Sequence, residues 1–540
     1  MITTIRPILL AYWLFFLFLG RGVNARETHL ELLPGEYWWG GLSVDGIEMP
    51  YDRSSQIERD LMDNRGNQSQ PLLISSKGRY IWCEQPFTYK FVDGYLSIRS
   101  DYANIDHGQV GESLREVFAF VSKKYFPSSG RLPEAILFTA PQYNTWIELM
   151  YDQNESDILK YASSILKHDF PPGVIMIDDN WQQDYGNWKF AAERFSDPKR
   201  MIEILKGQGF KIMLWVCPFV SPDSDNFRFL SRNNALHLDP NRKDELKWGN
   251  AYHQAAVVDW WNGSSALLDL SSAFAKNWFY QQLDKLVNEY DVDGFKLDAG
   301  DSQYYRNVEA EQTHLIPVDH TMLFASIGLR YPLNEYRACW KMGGQALVQR
   351  LRDKSHSWED LKELIPGIIA QGLMGYAFTC PDMIGGGEFQ SFLSAETIDP
   401  ELIVRSAQVH ALMPMMQFSV APWRVLDNRH LSFCQKMAQL HSDFGAQILE
   451  IAEKSAQTGE PMIKPLAWFW PEYSYETIHD QFILGEDLMV APVLVQGARS
   501  RKIIVPPGKW KGDDDSILVG PAVTTIEVPL ERLPYFKKMD

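Results

Sequence analysis

The sequence predicts an α/β protein, a (β/α)8 barrel flanked by an N-terminal and a C-terminal β-sandwich. Three changes of texture along its 540 residues predict this. Residues 26–130 are short alternating pieces broken by Gly, Asn and Ser. Residues 131–455 alternate short apolar runs with longer helical stretches. Residues 456–540 return to strand-sized pieces bounded by Gly and Pro. At roughly 150 residues per domain, the length accommodates two to four domains.

In chain order, Arg6 precedes an unbroken apolar run from Ile8 to Leu19. As a helix this run rises about 18 Å, short of the ~30 Å hydrocarbon core of a bilayer. Val23-Asn24-Ala25 fits a V-x-A cleavage site, so residues 1–25 read as a secretory signal peptide, with an uncleaved signal anchor as the alternative. Nothing later is apolar enough to span a membrane. N-x-[ST] triplets at Asn67, Asn154 and Asn262 agree with a lumenal or secreted glycoprotein.

Arg79 to Trp82 and Tyr89 to Val92 alternate as antiparallel strands do. In the middle zone, Gly173 to Ile177, Phe210 to Val216, Gly294 to Leu297 and Gly375 to Phe378 are candidate buried strands. Pro198 to Gln208 and Phe274 to Tyr290 are helical patterns between them. Strands alternating with helices over about 300 residues indicate a parallel sheet, and the number of units favours a closed barrel. No GxGxxG follows a strand, which weakens a dinucleotide-binding fold. Phe482 to Gly485, Leu488 to Pro492 and Lys502 to Pro506 are the strand candidates of the C-terminal zone.

Composition narrows the function. Lys and Arg number 52 against 69 Asp and Glu, a net charge of −17, which disfavours a nucleic-acid partner. The 18 Trp residues suit sugar stacking and an apolar core equally. The five Cys are scattered without a CxxC, so neither a disulfide framework nor a metal or redox motif is indicated, and one or two bridges remain open. The His and Cys spacing offers no metal site, and no cofactor is called for. The sequence admits a homo-oligomer.

In a (β/α)8 barrel, residues at the C-terminal ends of the strands face the catalytic side. Here those ends carry Asp178 and Asp179, then Asp298, then Asp382, and Asp353 lies in a connecting segment. A lone Asp after a strand is usually a helix cap; several on one rim suggest chemistry. Lys296 and Asp298 are two apart on a strand and share a side, so the ammonium would hold the carboxylate ionised, as a nucleophile requires. Asp353, as proton donor, would need its pKa raised. Two carboxylates with separated pKa values suit glycoside hydrolysis, with retention of configuration at about 5–5.5 Å between them.

These residues resemble glycoside hydrolase family 31, the retaining α-glycosidases, over nearly the whole chain after residue 25. The nucleophile motif is similar to Asp293-Gly-Phe-Lys-Leu-Asp298-Ala-Gly-Asp301, and the acid/base motif to Asp353 followed five residues later by Trp358. The Asp-Ile-Gly-Gly loop resembles Asp382-Met-Ile-Gly385-Gly386, and the C-terminal block resembles Asp480 to Gly485, Ala491 to Val493 and Gly508 to Trp510. The resemblance implies Asp298 as nucleophile, Asp353 as acid/base, and a sugar pocket built from Asp178, Asp179, Lys296, Arg337, Trp260 or Trp261, and Asp382. Trp181 and Trp215 would form its walls. Asp382 also reads as structural, and His410 as a core residue.

Within the family, Lys296-Leu-Asp298-Ala-Gly replaces the W-x-D-M-N of common α-glucosidases. Gln417 and Ser419 stand where those carry Arg-x-His. The variant motifs resemble a secretory-pathway branch of α-galactosidase type. They imply a terminal α-galactoside of an oligosaccharide or glycoconjugate as substrate. An α-glucosidase or α-xylosidase of the same family, or an inactive lumenal carbohydrate-binding protein, are the alternatives.

Overall fold

The computed structural model describes residues 26–241, 255–393 and 397–539. The expected signal peptide, 1–25, lies outside them. No helix among the described residues is long and apolar enough to cross a membrane.

Eight parallel strands form the barrel: β1 Gln142–Asn144, β2 Val174–Ile177, β3 Lys211–Val216, β4 Gly294–Leu297, β5 Leu333–Tyr336, β6 Gln349–Arg350, β7 Thr379–Cys380 and β8 Gln417–Phe418. The ladder runs β7-β6-β5-β4-β3-β2-β1-β8, and a parallel bridge from Ile384 to Phe418 brings the chain after β7 back to β8, nearly closing the ring. Every residue of β2 and β4 is buried, as expected for strands covered on both faces. The helices pack outside by ordinary amphipathic logic. Glu155–Lys167 starts at Asn154, whose side chain accepts from Asp157 N, and buries Ile158, Tyr161, Ala162 and Ile165, an i, i+3, i+4, i+7 stripe.

The strand predicted at Gly375 to Phe378 lies further along, at β7. Gly375 instead sits at φ 88° just past the helix Trp358–Leu373, where it ends the helix and frees the chain to cross to the barrel. A small sheet of Phe219–Val220, Gly263–Leu267 and Val257–Trp260 is inserted after β3.

The N-terminal region holds two sheets. Arg26–Glu31, Tyr95–Ser100, Thr88–Val92 and Ile57–Asp60 make one; Trp38–Leu42, Gln68–Ser75, Arg79–Cys83 and Ile105–Gln109 make the other. Cys339–Trp340, just past β5, joins this second sheet in parallel with Gln68–Ser75. The turn at residues 64–68 is thereby held against the barrel mouth.

After β8 the 31-residue helix Asn428–Thr458, about 46 Å long, ends at Gly459 with φ 79°. It leads into six antiparallel strands hydrogen-bonded as one sheet, from Ile463–Lys464 to Tyr535–Met539. The longest, Ser500–Gly512, is bulged between Val505 and Gly508, and Ile503, Val505, Trp510 and Phe536 form a local core.

All five cysteines are buried and unpaired. Of the three glycosylation triplets, Asn67 is fully buried and cannot carry a glycan. Asn262 donates through Nδ2 to Asp179 and Tyr185, so a glycan there would break both bonds. Asn154 is half-buried at its helix cap.

Candidate active site

Three barrel strands end in the same unusual backbone. Asn180 after β2, Ala299 after β4 and Asp382 after β7 all lie in the left-handed region, at φ 72°, 59° and 74°. For a residue with a side chain this costs about 1–3 kcal/mol and persists only where the surroundings enforce it. Here it turns the chain sharply beside Asp178, Asp179 and Asp298.

Asp298 is fully engaged. Its Oδ2 accepts from Trp215 Nε1 at 3.0 Å, and its Oδ1 from Ala299 N at 2.8 Å and Arg337 Nε at 3.0 Å. Burial would raise this carboxyl, but Arg337, Lys296 and Arg350, with the Trp215 bond, outweigh it and hold it well below the usual carboxylate range. The strand register explains the grouping, because Trp215, Lys296 and Glu335 are neighbours across β3, β4 and β5. Lys296 itself pairs with Asp178 Oδ2 at 2.6 Å rather than with Asp298. The closest cation to Asp298 is Arg337, which also donates to Asp301 at 2.9 Å and to the Gly66 carbonyl of the N-terminal turn.

Asp353 sits differently. Its side chain is 46% exposed, and Arg350 Nη1 reaches its Oδ1 at 2.6 Å. The same Nη1 lies 2.6 Å from Oδ1 of the fully buried Asp382, whose Oδ2 accepts from Lys354 N at 2.8 Å. Arg350 Nε faces Glu335 at 3.2 Å. One guanidinium thus serves three carboxylates. Burial and the charge of Asp353 push Asp382 up to about 7 against the pull of Arg350. Asp353 is lowered: burial opposes this, and Arg350 with Arg337 and Lys296 overcomes it. The expectation that Asp353 itself would be raised is corrected on this point: the raised carboxyl of the pair is Asp382. The charged neighbours Arg352 and Lys354 turn to Glu363, at 2.8 and 3.3 Å.

Asp179 accepts from Tyr185 OH at 3.0 Å and Asn262 Nδ2 at 2.6 Å, and pairs with no cationic side chain among the described residues. Burial, then the Asp178 charge, raises it to about 7 despite those bonds.

Asp178, Asp179, Trp215, Trp261, Lys296, Asp298, Arg337 and Asp353 line one cavity of about 530 Å³, inside the roughly 300–1,000 Å³ range of small-ligand sites. Trp261 is 46% exposed, with Arg337 over its ring at 5.6 Å. Three predicted pocket residues are elsewhere. Trp181 is fully buried, donates to the Trp215 carbonyl at 2.8 Å and packs on Phe190, so it supports the wall without forming it. Trp260 stacks on Phe219 at 4.1 Å and donates to Ser265. Asp382 lies behind Arg350. His410 is a core residue within reach of the Ser406 and Asp382 carbonyls, and Ser419 donates to the Gly386 carbonyl at 2.7 Å.

Sequence reasoning passed over Trp146, Tyr304, Met383 and Phe389 on the cavity wall, and Glu335 and Arg350 beneath it. Glu335 lies two residues before Arg337, and Arg350 three before Asp353. Their nearness in sequence to Arg337 and Asp353 was the available signal for both. Gly387 shows why that loop is glycine-rich, since a Cβ there would meet Asp353 Oδ1 at 2.5 Å.

The class is therefore a (β/α)8 barrel with an acidic, ion-paired pocket at the C-terminal ends of its strands. Residues 140–425 match the glycosyl hydrolases family 31 TIM-barrel domain, and residues 459–540 the glycosyl hydrolase family 31 C-terminal domain. The chain belongs to glycosyl hydrolase family 31. It is 30% identical over 440 residues to myogenesis-regulating glycosidase of Mus musculus, covering 79% of this chain and 60% of that protein. It is 26% identical over 417 residues to 1,3-alpha-isomaltosidase of Kribbella flavida, covering 68% and 56%. The chain thus spans only about 60% of the length of these relatives. Among solved structures, the Flavobacterium johnsoniae GH31 dextranase complexed with glucose superposes with a TM-score of 0.81 at 17% identity, over 95% of this chain and 66% of that one. A GH31 alpha-xylosidase from a soil metagenome complexed with xylose gives 0.81 at 18%, over 95% and 79%.

Proposed function

We propose that the chain is a retaining exo-α-glycosidase acting on terminal α-galactosides by double displacement. The observation that carries this reading is a carboxylate, Asp298, held ionised by Arg337 on the wall of a cavity that Asp353 shares. Asp298 attacks the anomeric carbon as the bond to the leaving oxygen breaks, and the proton that the Asp353 and Asp382 carboxyls retain between them passes from Asp353 to that oxygen. A β-linked ester forms, Asp353 then deprotonates water, and the second inversion restores the α configuration. Asp178 and Asp179, with Lys296 and Arg337, bind sugar hydroxyls; Trp215 and Trp261 bound the ring.

Galactose is favoured by Ser419 and Gln417 standing where α-glucosidases carry Arg-x-His, and by the resemblance of the variant motifs to a branch of α-galactosidase type. The apolar run before residue 25 supports a lumenal or secreted setting. The test is a panel of aryl α-glycosides of galactose, glucose and xylose. Preference for the galactoside supports the reading. Preference for the glucoside or xyloside retains the enzyme and overturns the sugar. Galactose binding without turnover of any member overturns catalysis.

A further inference from the structure

Away from the cavity, the fold brings together three side chains that lie far apart in sequence. His237 lies between the first and second strands of the inserted sheet, Asp269 follows its last strand, and His320 lies in the helix Pro317–Ile327. All three are buried, and one donor atom from each lies within 4.8 Å of the others. His237 Nδ1 is 3.2 Å from the carbonyl oxygen of Glu309. A carbonyl only accepts, so Nδ1 carries the proton and Nε2 presents a lone pair. That Nε2 hydrogen-bonds to nothing among the described residues and stands 4.0 Å from Asp269 Oδ1, itself an acceptor. His320 Nδ1 is likewise without a hydrogen-bond partner. Buried acceptors that face one another with no donor between them are unfavourable.

The carboxylate is fixed from behind. Asp269 Oδ1 accepts from Ser271 N at 3.0 Å and Ser271 Oγ at 2.5 Å, and Oδ2 from Glu311 N at 2.6 Å. An imidazole oriented by a carbonyl and a carboxylate oriented by N–H and O–H donors are the supports that metal ligands normally have. We propose that His237, Asp269 and His320 form a buried divalent transition-metal site, with zinc the ion that two imidazoles and one carboxylate suit. With His237 Nε2 and Asp269 Oδ1 4.0 Å apart and all three donors within 4.8 Å of one another, one ion ligated at roughly 2.0–2.2 Å can be shared by all three. His320 also stacks on Tyr305, 5.1 Å between rings, in the turn Ser302–Tyr305 that follows Asp301. A bound ion would therefore brace that turn against the insertion after β3. Sequence spacing alone offered no such site.

The experiment strips the purified chain with a chelator and titrates it with Co²⁺, followed by visible absorption, then with Zn²⁺, followed by thermal unfolding. The expected result is one equivalent of Co²⁺ with the intense bands of a four- or five-coordinate site, displaced by Zn²⁺, and a raised unfolding temperature. Both effects should vanish in His237→Ala and in His320→Gln, two variants used in case one fails to fold. An aqueous Co²⁺ spectrum with no thermal shift in the unaltered chain would overturn the proposal, and so would equal binding by both variants.

Discussion

The two halves of the pocket solve the same electrostatic problem in opposite ways. Around Asp298 the cations are plentiful: Arg337 holds Asp298 and Asp301, and Lys296 holds Asp178. Around Asp353 they are fewer, because among the described residues one guanidinium, Arg350, is ion-paired to Asp353, Asp382 and Glu335. The first half keeps Asp298 charged, although Asp179, which has no cation among the described residues, rises to about 7; the second half raises Asp382 to about 7. Burial raises both Asp298 and Asp382; the cations outweigh it at Asp298 and fail to at Asp382.

The largest test of this contrast is Asp298→Asn, which keeps the shape and removes the charge. Turnover of the preferred aryl glycoside should fall on the order of 10⁴-fold or more. Asp353→Asn should cost about 10²–10⁴-fold, with the smallest loss on substrates whose leaving group needs no protonation. Added azide, which attacks without a general base, should restore turnover in this variant and give the α-glycosyl azide. Failure of azide in Asp353→Asn would remove Asp353 from the acid/base role.

Arg350→Met tests the scarcity itself. It leaves Asp382 and Glu335 buried without their cation, and the expected loss of stability is about 3–5 kcal/mol at neutral pH, measured by denaturant unfolding. The smallest effect belongs to Asp382→Asn. A carboxyl raised to about 7 binds a proton in the folded state that the unfolded chain, at its ordinary value near ~3.9, has already lost. Its contribution to stability is therefore most favourable below about 4 and declines as pH rises through 7. Asp382→Asn should flatten that slope. It should also move the alkaline limb of kcat/KM to lower pH, because Asp353 would face Arg350 with no second carboxylate to retain the proton. An unmoved limb would place the proton elsewhere.

Much of the barrel was legible in the sequence because parallel strands buried on both faces are short apolar runs: β2, β3 and β4 fall where Gly173 to Ile177, Phe210 to Val216 and Gly294 to Leu297 placed them. Two-residue strands such as β6 and β8 leave no periodic signal, and β7 was read several residues early because Gly375 ends a helix. Asp178, Asp179, Asp298 and Asp382 were legible because each follows a strand candidate, whereas Asp353, in a connecting segment, was legible through its motif with Trp358. The roles of Trp181 and Trp260 were not, since an indole facing a sugar and one facing the core look alike in sequence. Arg350 was missed because its importance comes from Asp382 and Glu335, which reach it only through the closure of the barrel. His237, Asp269 and His320 meet for the same reason.

The most direct measurement is covalent trapping. A 5-fluoro-α-galactosyl fluoride slows breakdown of a glycosyl ester more than its formation when a carboxylate attacks the anomeric carbon. Intact mass and peptide mapping should find one sugar per chain, attached at Asp298 and lost in Asp298→Asn. Attachment to a different carboxylate, or turnover of the reagent with no attachment at any concentration, would contradict the assignment of Asp298 as the attacking group.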